Sequence, residues 1–124
     1  MSQTILVVDD EPLNRMLLRT ILEHDGYTVL EAADGAAALE VARAKTPSLI
    51  IMDLHMPRID GPELLKRLRA DPALLETRVA LYTATAAGRA MRDFMEANNV
   101  FFTIPKPSDP KTVLEIVHQA LGRE

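Results

Sequence analysis

The sequence contains no cysteine and no tryptophan, and aromatic residues make up only 4% of it. Without cysteine, neither a disulfide framework nor a thiolate metal site can form. An excess of basic residues is lacking too: 14 Lys and Arg stand against 18 Asp and Glu, for a formal net charge of -4. Because binding to nucleic acid calls for a basic face, this balance argues against nucleic acid as a partner.

Long hydrophobic runs are also absent. No apolar run approaches the roughly 18 residues that indicate a membrane-spanning helix. The segment MSQTILVVDDEP at the amino terminus has neither a basic start nor a long apolar core, so it does not fit a signal peptide. The 124 residues, 48% hydrophobic and 26% charged, have the composition of an ordinary globular domain. We therefore expect a single domain, residues 1–124, that is cytoplasmic and has no membrane partner.

Short apolar runs alternate with longer helical patterns along the chain. The strand-like runs are TILVV (4–8), YTVLEA (27–32), SLIIM (48–52), RVALYT (78–83) and VFFTI (100–104). The third run is apolar without alternation, as expected of a central parallel strand that is covered on both faces. Five units of strand followed by helix predict an α/β fold with a parallel sheet and right-handed crossovers.

A helical pattern follows each run. The predicted helices begin at Pro12 and cover 34–45, 61–70 and 88–97, and the last begins after Asp109, a predicted N-cap. In the first helix, Leu13, Met16, Leu17, Thr20 and Ile21 recur at helical spacing. The charged segment KRLRA (66–70) is most simply a solvated helix face.

Polar side chains collect where the predicted strands end. They are Asp9, Asp10 and Glu11 after the first run, Asp53 after the third, Thr83 at the end of the fourth and Lys106 just past the fifth. The second run ends in Glu31 and two alanines, which adds little. Because ligands of open parallel sheets bind beyond the carboxyl ends of the strands, we expect carboxylates, a hydroxyl and an ammonium group to meet at one edge.

This set of side chains suits phosphoryl-transfer chemistry. Carboxylates that lie close together repel one another, so that one takes up a proton or a cation binds. All-oxygen donors favour Mg²⁺ or Mn²⁺ over zinc. A lysine and a threonine hydroxyl could bind phosphoryl oxygens, and a carboxylate can act as the nucleophile that forms an aspartyl phosphate.

Four fragments carry a family resemblance. ILVVDDEP, IIMDLHMPRIDG, VALYTA and PKP occur in the order and at about the spacing found in receiver domains of bacterial two-component response regulators. The sequence resembles this family from residue 4 to about residue 121. The resemblance implies a flavodoxin-like doubly wound fold: a five-stranded parallel sheet in the order 2-1-3-4-5 with helices on both faces. It also implies a signalling domain, not an enzyme, that catalyses only its own phosphorylation and dephosphorylation.

The resemblance assigns roles to the acidic residues. Asp53 matches the phospho-acceptor, and Asp10 matches a direct ligand of Mg²⁺, for which Mn²⁺ is an alternative. Asp9 would hold a metal-bound water, and the third protein ligand would be the backbone carbonyl of His55. Asp53 itself would complete the metal site.

The remaining roles concern switching. Thr83 matches the switch hydroxyl and Lys106 the lysine that pairs with the phosphoryl group, and the Lys106-Pro107 bond is expected to be cis. The sequence departs from the family pattern at Thr103, where an aromatic residue is usual, so we predict signalling without an aromatic flip there.

Two positions tune the lifetime of the phosphoryl group in this family, two residues after the acceptor and two after the switch threonine. Here they are His55 and Thr85. Neither side chain is an acid or an amide that would orient an attacking water. We therefore expect a phosphoryl group that lasts longer than in the fastest members.

The implied partners are a sensor histidine kinase or a histidine phosphotransfer protein as donor and a downstream protein as target, with the chain a monomer or weak homodimer. A stand-alone receiver is expected, and a receiver excised from a hybrid kinase or longer regulator is an alternative. Another alternative is a Mg²⁺-dependent phosphatase of the haloacid dehalogenase type with Asp9 as nucleophile, although Glu11 stands where that family has an aspartate. A pseudo-receiver that is never phosphorylated is disfavoured by the intact acid pair, acceptor and lysine.

Overall fold

Five strands and five helices alternate along the chain in a computed structural model that describes residues 3–54, 56, 59–84 and 88–122. The elements are β1 (Thr4–Val8), α1 (Pro12–His24), β2 (Thr28–Ala32), α2 (Gly35–Lys45), β3 (Leu49–Met52), α3 (Gly61–Ala70), β4 (Arg78–Thr83), α4 (Arg89–Ala97), β5 (Phe102–Pro105) and α5 (Pro110–Ala120). All neighbouring strands pair in parallel, in the order β2-β1-β3-β4-β5. The predicted fold and strand order are confirmed.

The sheet separates two hydrophobic cores, because side chains alternate between its faces along each strand. Ile5 and Val7 of β1 pack with residues of α1 and α5, whereas Leu6 and Val8 pack with residues of α2, α3 and α4. The central strand β3 is buried along its whole length. This explains its unbroken run of apolar residues.

The predicted boundaries agree with the observed ones to within two residues. The fifth strand begins at Phe102 instead of Val100, because the Val100 N–H donates to the Met95 carbonyl (2.8 Å) and closes the end of α4. Asp34 is the N-cap of α2, where its side chain accepts from the Ala37 N–H (2.8 Å). Asp109 caps α5 in the same way, as predicted.

The apolar residues at helical spacing in α1 are not all buried. Leu18, Ile21 and Leu22 are buried. Leu13, Met16 and Leu17 are 70%, 56% and 47% exposed. The pattern therefore identified the helix correctly, but of its apolar residues only Ile21 lies in the core. It leaves an exposed apolar group on α1, made of Leu13, Met16 and Leu17, which we call the α1 patch.

Arg69 of α3 lies at the amino edge of the sheet, where the parallel strands begin. It is half-buried, whereas the sequence predicts a solvated side chain. Its guanidinium group donates to five backbone carbonyls, those of Leu74, Leu75 and Thr77 before β4 and of Asn98 and Asn99 before β5. The shortest of these contacts are 2.7 Å. Burial lowers the pKa of Arg69 from its usual value. One side chain thus joins two loops.

None of the helices in the described ranges combines the length and the apolar character that crossing a membrane requires.

Candidate functional site

Three carboxylates meet at the carboxyl edge of the sheet, between β1 and β3. Backbone hydrogen bonds extend the ladder past the strands: the Asp9 N–H donates to the Ala32 carbonyl (3.1 Å) and the Asp53 N–H to the Val8 carbonyl (3.0 Å). One oxygen from each of Asp9, Asp10 and Asp53 lies within 4.8 Å of the others. In this strand order, β1 and β3 flank the point where the order reverses, which is where such sheets bind ligands.

The three carboxylates differ in their surroundings. Asp9 is fully buried, and its two carboxylate oxygens accept hydrogen bonds from the Glu11 N–H (2.9 Å) and from Lys106 Nζ (2.9 Å). Asp53 is 9% exposed. Asp10 is exposed and has no hydrogen bond or ion pair with the residues that the structure describes. Asp9 is therefore a fixed anchor, whereas Asp10 presents its oxygens to solvent.

Lys106 joins the cluster from the end of β5. Its N–H donates to the Thr83 carbonyl (3.1 Å), and its Nζ donates to Asp53 Oδ2 (2.8 Å) as well as to Asp9. Burial opposes the charge of Lys106, but the hydrogen bonds to Asp53 and Asp9 together outweigh burial and raise the pKa of this lysine. The side chain is thus an ammonium group at neutral pH. The Lys106-Pro107 bond is cis, as predicted.

The charges of the cluster fit a hard divalent cation. Three carboxylates against one ammonium group leave an excess of two negative charges in a partly buried site. All the carboxylate donors are oxygen atoms, which Mg²⁺ prefers. Asp9, Asp10 and Asp53 could therefore hold Mg²⁺, with its charge matching the excess.

The residues predicted for switching and lifetime are placed differently. Thr83 is the last residue of β4 and is 9% exposed, next to the strand that carries Lys106. Thr103 is exposed on β5, whereas the preceding Phe102 is half-buried against α5 and its neighbours. His55 and Thr85 lie outside the described residues, so their predicted roles stay predictions.

The sequence did not predict a role near the site for Tyr82, Arg15 or Glu31. The ring of Tyr82 lies with its centroid 4.8 Å from Lys106 Nζ. Arg15 of α1 donates from Nη1 to the Asp9 carbonyl (2.6 Å) and from Nε to Glu31 Oε1 (3.1 Å). The end of β2 therefore does contribute, through Glu31. The available signal was the spacing of Arg15 and Arg19, four residues apart on one helix face beside a strand-end glutamate.

Two open cavities, of about 630 Å³ and 680 Å³, lie at the opposite edge of the sheet. Both are lined by Leu75, Glu76, Thr77 and Arg78, and none of the three clustered aspartates lines either of them. The candidate functional side chains lie at the carboxyl edge of the sheet, not in these cavities.

Comparison with known proteins identifies the class. The sequence matches the family model of the response regulator receiver domain over residues 5–118. The chain belongs to this family, whose members are signalling domains and not classical enzymes.

Two relatives show how the similarity is distributed. The polar-differentiation response regulator DivK of Brucella ovis is 30% identical over 122 residues, which cover 98% of each chain. A longer Pseudomonas aeruginosa protein is 45% identical over 80 residues, which are 64% of this chain but only 38% of that protein. The similarity thus extends both to a relative of the same length and to part of a longer one.

Solved structures share the fold. The chemotaxis protein CheY4 of Vibrio cholerae superimposes with a TM-score of 0.91 at 28% identity, covering 98% of this chain and 100% of that one. The receiver domain of the sensor histidine kinase PA1611 from Pseudomonas aeruginosa has a TM-score of 0.87 at 26% identity, covering 98% and 99%. That structure has a magnesium ion coordinated in its active site cleft.

Proposed function

We propose that the chain is a cytoplasmic receiver domain whose Asp53 accepts a phosphoryl group from the phosphohistidine of a sensor histidine kinase or histidine phosphotransfer protein. The observation that carries the proposal is the meeting of Asp9, Asp10 and Asp53 within 4.8 Å, with Lys106 Nζ 2.8 Å from Asp53 Oδ2. A nucleophile, a cation site and a fixed positive charge thus lie together, as phosphoryl transfer requires.

Asp53 is the acceptor that the surroundings favour. Both carboxylate oxygens of Asp9 already accept hydrogen bonds in a fully buried position, so Asp9 is poorly placed to attack a donor. Asp10 is exposed, so its carboxylate is suited to bind a cation. Asp53 lies beside the ammonium group of Lys106 and keeps a partly accessible side chain.

The residues divide the work of the transfer. Mg²⁺, when bound, would neutralise negative charge on the phosphoryl oxygens. Asp10, Asp53 and the backbone carbonyl of His55 would hold it directly, and Asp9 through water. Asp53 attacks phosphorus in line: an oxygen–phosphorus bond forms, the phosphorus–nitrogen bond to histidine breaks, and its electron pair returns to the imidazole nitrogen. Lys106 binds a phosphoryl oxygen throughout.

The phosphoryl group brings about -1.5 to -2 charges at neutral pH. Because bond formation removes the charge of the Asp53 carboxylate, the net gain at the site is about one negative charge or less. The hydroxyl of Thr83 then moves towards the phosphoryl group and biases a two-state surface on α4, β5 and α5, where a downstream protein binds. Because Thr103 is exposed and is not aromatic, this switch uses no aromatic flip at that position. With His55 and Thr85 at the two positions that tune the lifetime, the phosphoryl group lasts longer than in the fastest members of the family.

Incubation with Mg²⁺ and acetyl phosphate tests the proposal. Intact mass spectrometry should show one added phosphoryl group on the wild type and none on Asp53→Asn, because the amide is not a nucleophile. EDTA present from the start of the incubation should prevent the adduct from forming. A wild type that never gains the adduct would contradict the proposal.

The same variants address the phosphatase alternative. Turnover of a phosphate ester that is lost in Asp9→Asn but kept in Asp53→Asn would replace the receiver function with hydrolysis. We expect no such turnover.

A further inference from the structure

We propose that Arg15 is a positioning residue for the metal-binding acid pair: it fixes the backbone at Asp9 so that Asp10 presents its carboxylate to the cation. The proposal rests on the Mg²⁺ site proposed above. It adds a residue of α1 to that site, together with Glu31, the β2 residue that holds it.

The contacts of Asp9 carry the argument. Its N–H donates to the Ala32 carbonyl of β2, and its carboxylate accepts from Glu11 and Lys106. Its carbonyl accepts from Arg15 Nη1 at 2.6 Å. The carbonyl belongs to the peptide bond that joins Asp9 to Asp10, so Arg15 holds the peptide plane that orients the exposed ligand.

Arg15 is itself held in place. Its Nε donates to Glu31 Oε1 (3.1 Å), and the two side chains are 17% and 29% exposed. The other oxygen of Glu31 accepts from Arg19 Nη1 (2.7 Å). Because the guanidinium group is planar and donates in two fixed directions, it can join Glu31 to the Asp9 carbonyl, which a single ammonium group cannot do with the same rigidity.

The direction in which Mg²⁺ affinity changes when Arg15 is removed distinguishes a positioning role from a purely electrostatic one. Arg15 brings a positive charge close to the cluster, and by charge alone its removal would strengthen binding of a divalent cation. A positioning role predicts weaker binding instead. Without Arg15 the Asp9–Asp10 peptide can rotate, so part of the binding free energy of the cation is spent on ordering that peptide. Loss of a residue that orients a metal ligand typically weakens metal binding about 10–100-fold.

The experiment measures Mg²⁺ binding directly, by isothermal titration calorimetry with magnesium chloride on the full chain. We expect Arg15→Ala to bind at least about 10-fold more weakly than the wild type. The matched control is Arg19→Ala, which removes a second arginine from Glu31 but has no contact with Asp9 among its described interactions. This control should stay within about 2-fold of the wild type.

Arg15→Lys keeps the positive charge and most of the aliphatic part of the side chain. It replaces Arg15→Ala in the Mg²⁺ titration if Arg15→Ala does not fold. It should also bind Mg²⁺ more weakly than the wild type, whereas a charge effect would leave it unchanged. A second readout is the rate of phosphorylation by acetyl phosphate against Mg²⁺ concentration. The half-saturating Mg²⁺ concentration should rise in both Arg15 variants, while the rate at saturation stays close to that of the wild type.

Each result is decisive. Folded Arg15 variants that bind Mg²⁺ as tightly as Arg19→Ala, or more tightly than the wild type, overturn the role of Arg15 and leave the proposed function intact. A normal half-saturating Mg²⁺ concentration with a reduced maximal rate also overturns it. A wild type that binds no Mg²⁺ overturns both proposals together.

Discussion

At the scale of single residues, Lys106 has an aromatic ring beside it in addition to two carboxylates. Its ammonium nitrogen lies 4.8 Å from the centroid of Tyr82, a distance at which a cation is attracted to the face of the ring. Tyr82 is only 3% exposed, and burial raises the pKa of its phenol. The ring is therefore a fixed, neutral support that holds the lysine over the site.

Replacing Tyr82 by leucine should slow phosphorylation by acetyl phosphate by roughly 2-fold to 30-fold, the range that corresponds to about 0.5–2 kcal/mol of cation–π attraction. Tyr82→Phe is the control, because it keeps the ring and should stay near the wild-type rate. Proton NMR of the Lys106 side chain provides a direct check: an upfield ring-current shift should persist in the phenylalanine variant and vanish in the leucine variant. Equal rates in the two variants would rule out support by the ring.

Glu31 gives the protein a pH-dependent contribution to stability. The hydrogen bond from Arg19 lowers the pKa of Glu31, against the opposing effect of burial, so its folded pKa lies below its unfolded value near 4.5. Its contribution to the free energy of unfolding is thus complete above that value and is lost as the pH falls through the folded pKa.

We expect Glu31→Gln to be less stable than the wild type at about pH 6, by about 1 kcal/mol or less, because the pair is partly exposed. The difference should shrink towards about pH 3. Urea denaturation at several pH values measures it, with Glu40→Gln on the exposed face of α2 as the control. A difference that grows on acidification would contradict the assignment.

At the scale of elements, the start of α3 packs directly against the backbone around Asp53, the proposed acceptor. A Cβ atom added to Gly61 would lie 2.8 Å from the Asp53 carbonyl oxygen and 2.8 Å from Leu54 Cα, closer than real Cβ atoms approach. Both obstacles are backbone atoms, so relief requires the β3–α3 connection to shift. The glycine therefore holds α3 against the strand end that carries Asp53.

Gly61→Ser should lower the free energy of unfolding by about 1–3 kcal/mol, as overpacking typically does. It should also slow phosphorylation of the molecules that remain folded, because Asp53 moves. The same replacement at Gly88, the N-cap of α4, is the control: an added Cβ there has open space, and serine is a good cap. Denaturation curves and acetyl phosphate kinetics on both variants test this, and a Gly61 variant as stable as the Gly88 variant would contradict the packing argument.

Which of these features could be predicted from the sequence depends on the range of the interactions that set them. Strands, helix starts and the strand-end aspartates were predictable, because hydrophobic period, caps and the carboxyl-edge rule are local or topological. The burial of Arg69 was predicted wrongly and the buried face of α1 could not be assigned, since both depend on which loops and helices surround them. The spacing of Arg15 and Arg19 offered a signal for their pairing with Glu31. The contact of Arg15 with the Asp9 carbonyl and the support of Lys106 by Tyr82 were not predictable, because they arise from side-chain directions between distant segments.

At the scale of the whole molecule, the α1 patch begins three residues after Asp10, the exposed carboxylate of the cluster, so apolar surface adjoins the proposed phosphorylation site. Under the proposed function, a protein donor must bring its phosphohistidine to Asp53, and the patch offers it a surface to pack against. A small-molecule donor needs no such surface. The two kinds of donor should therefore respond differently to changes on α1.

The double replacement of Leu13 and Met16 by serine should slow phosphoryl transfer from a phosphohistidine protein that phosphorylates the wild type by about 10-fold or more. Phosphorylation by acetyl phosphate and stability should change little, because both side chains are exposed. Leu75→Ser is the control, an equally apolar residue that is 48% exposed at the opposite edge of the sheet. A uniform loss with both donors would show that the replacements damage the site itself.

The five carbonyl contacts of Arg69 have a consequence for protein engineering. The connection from α3 to β4 and the turn from α4 to β5 are surface loops at the edge of the sheet opposite Asp53, where a reporter domain would ordinarily be inserted. Here both loops share one guanidinium group, so an insertion into either one also disturbs the other and the strand that follows it. A biosensor built on this scaffold would do better to keep both loops intact.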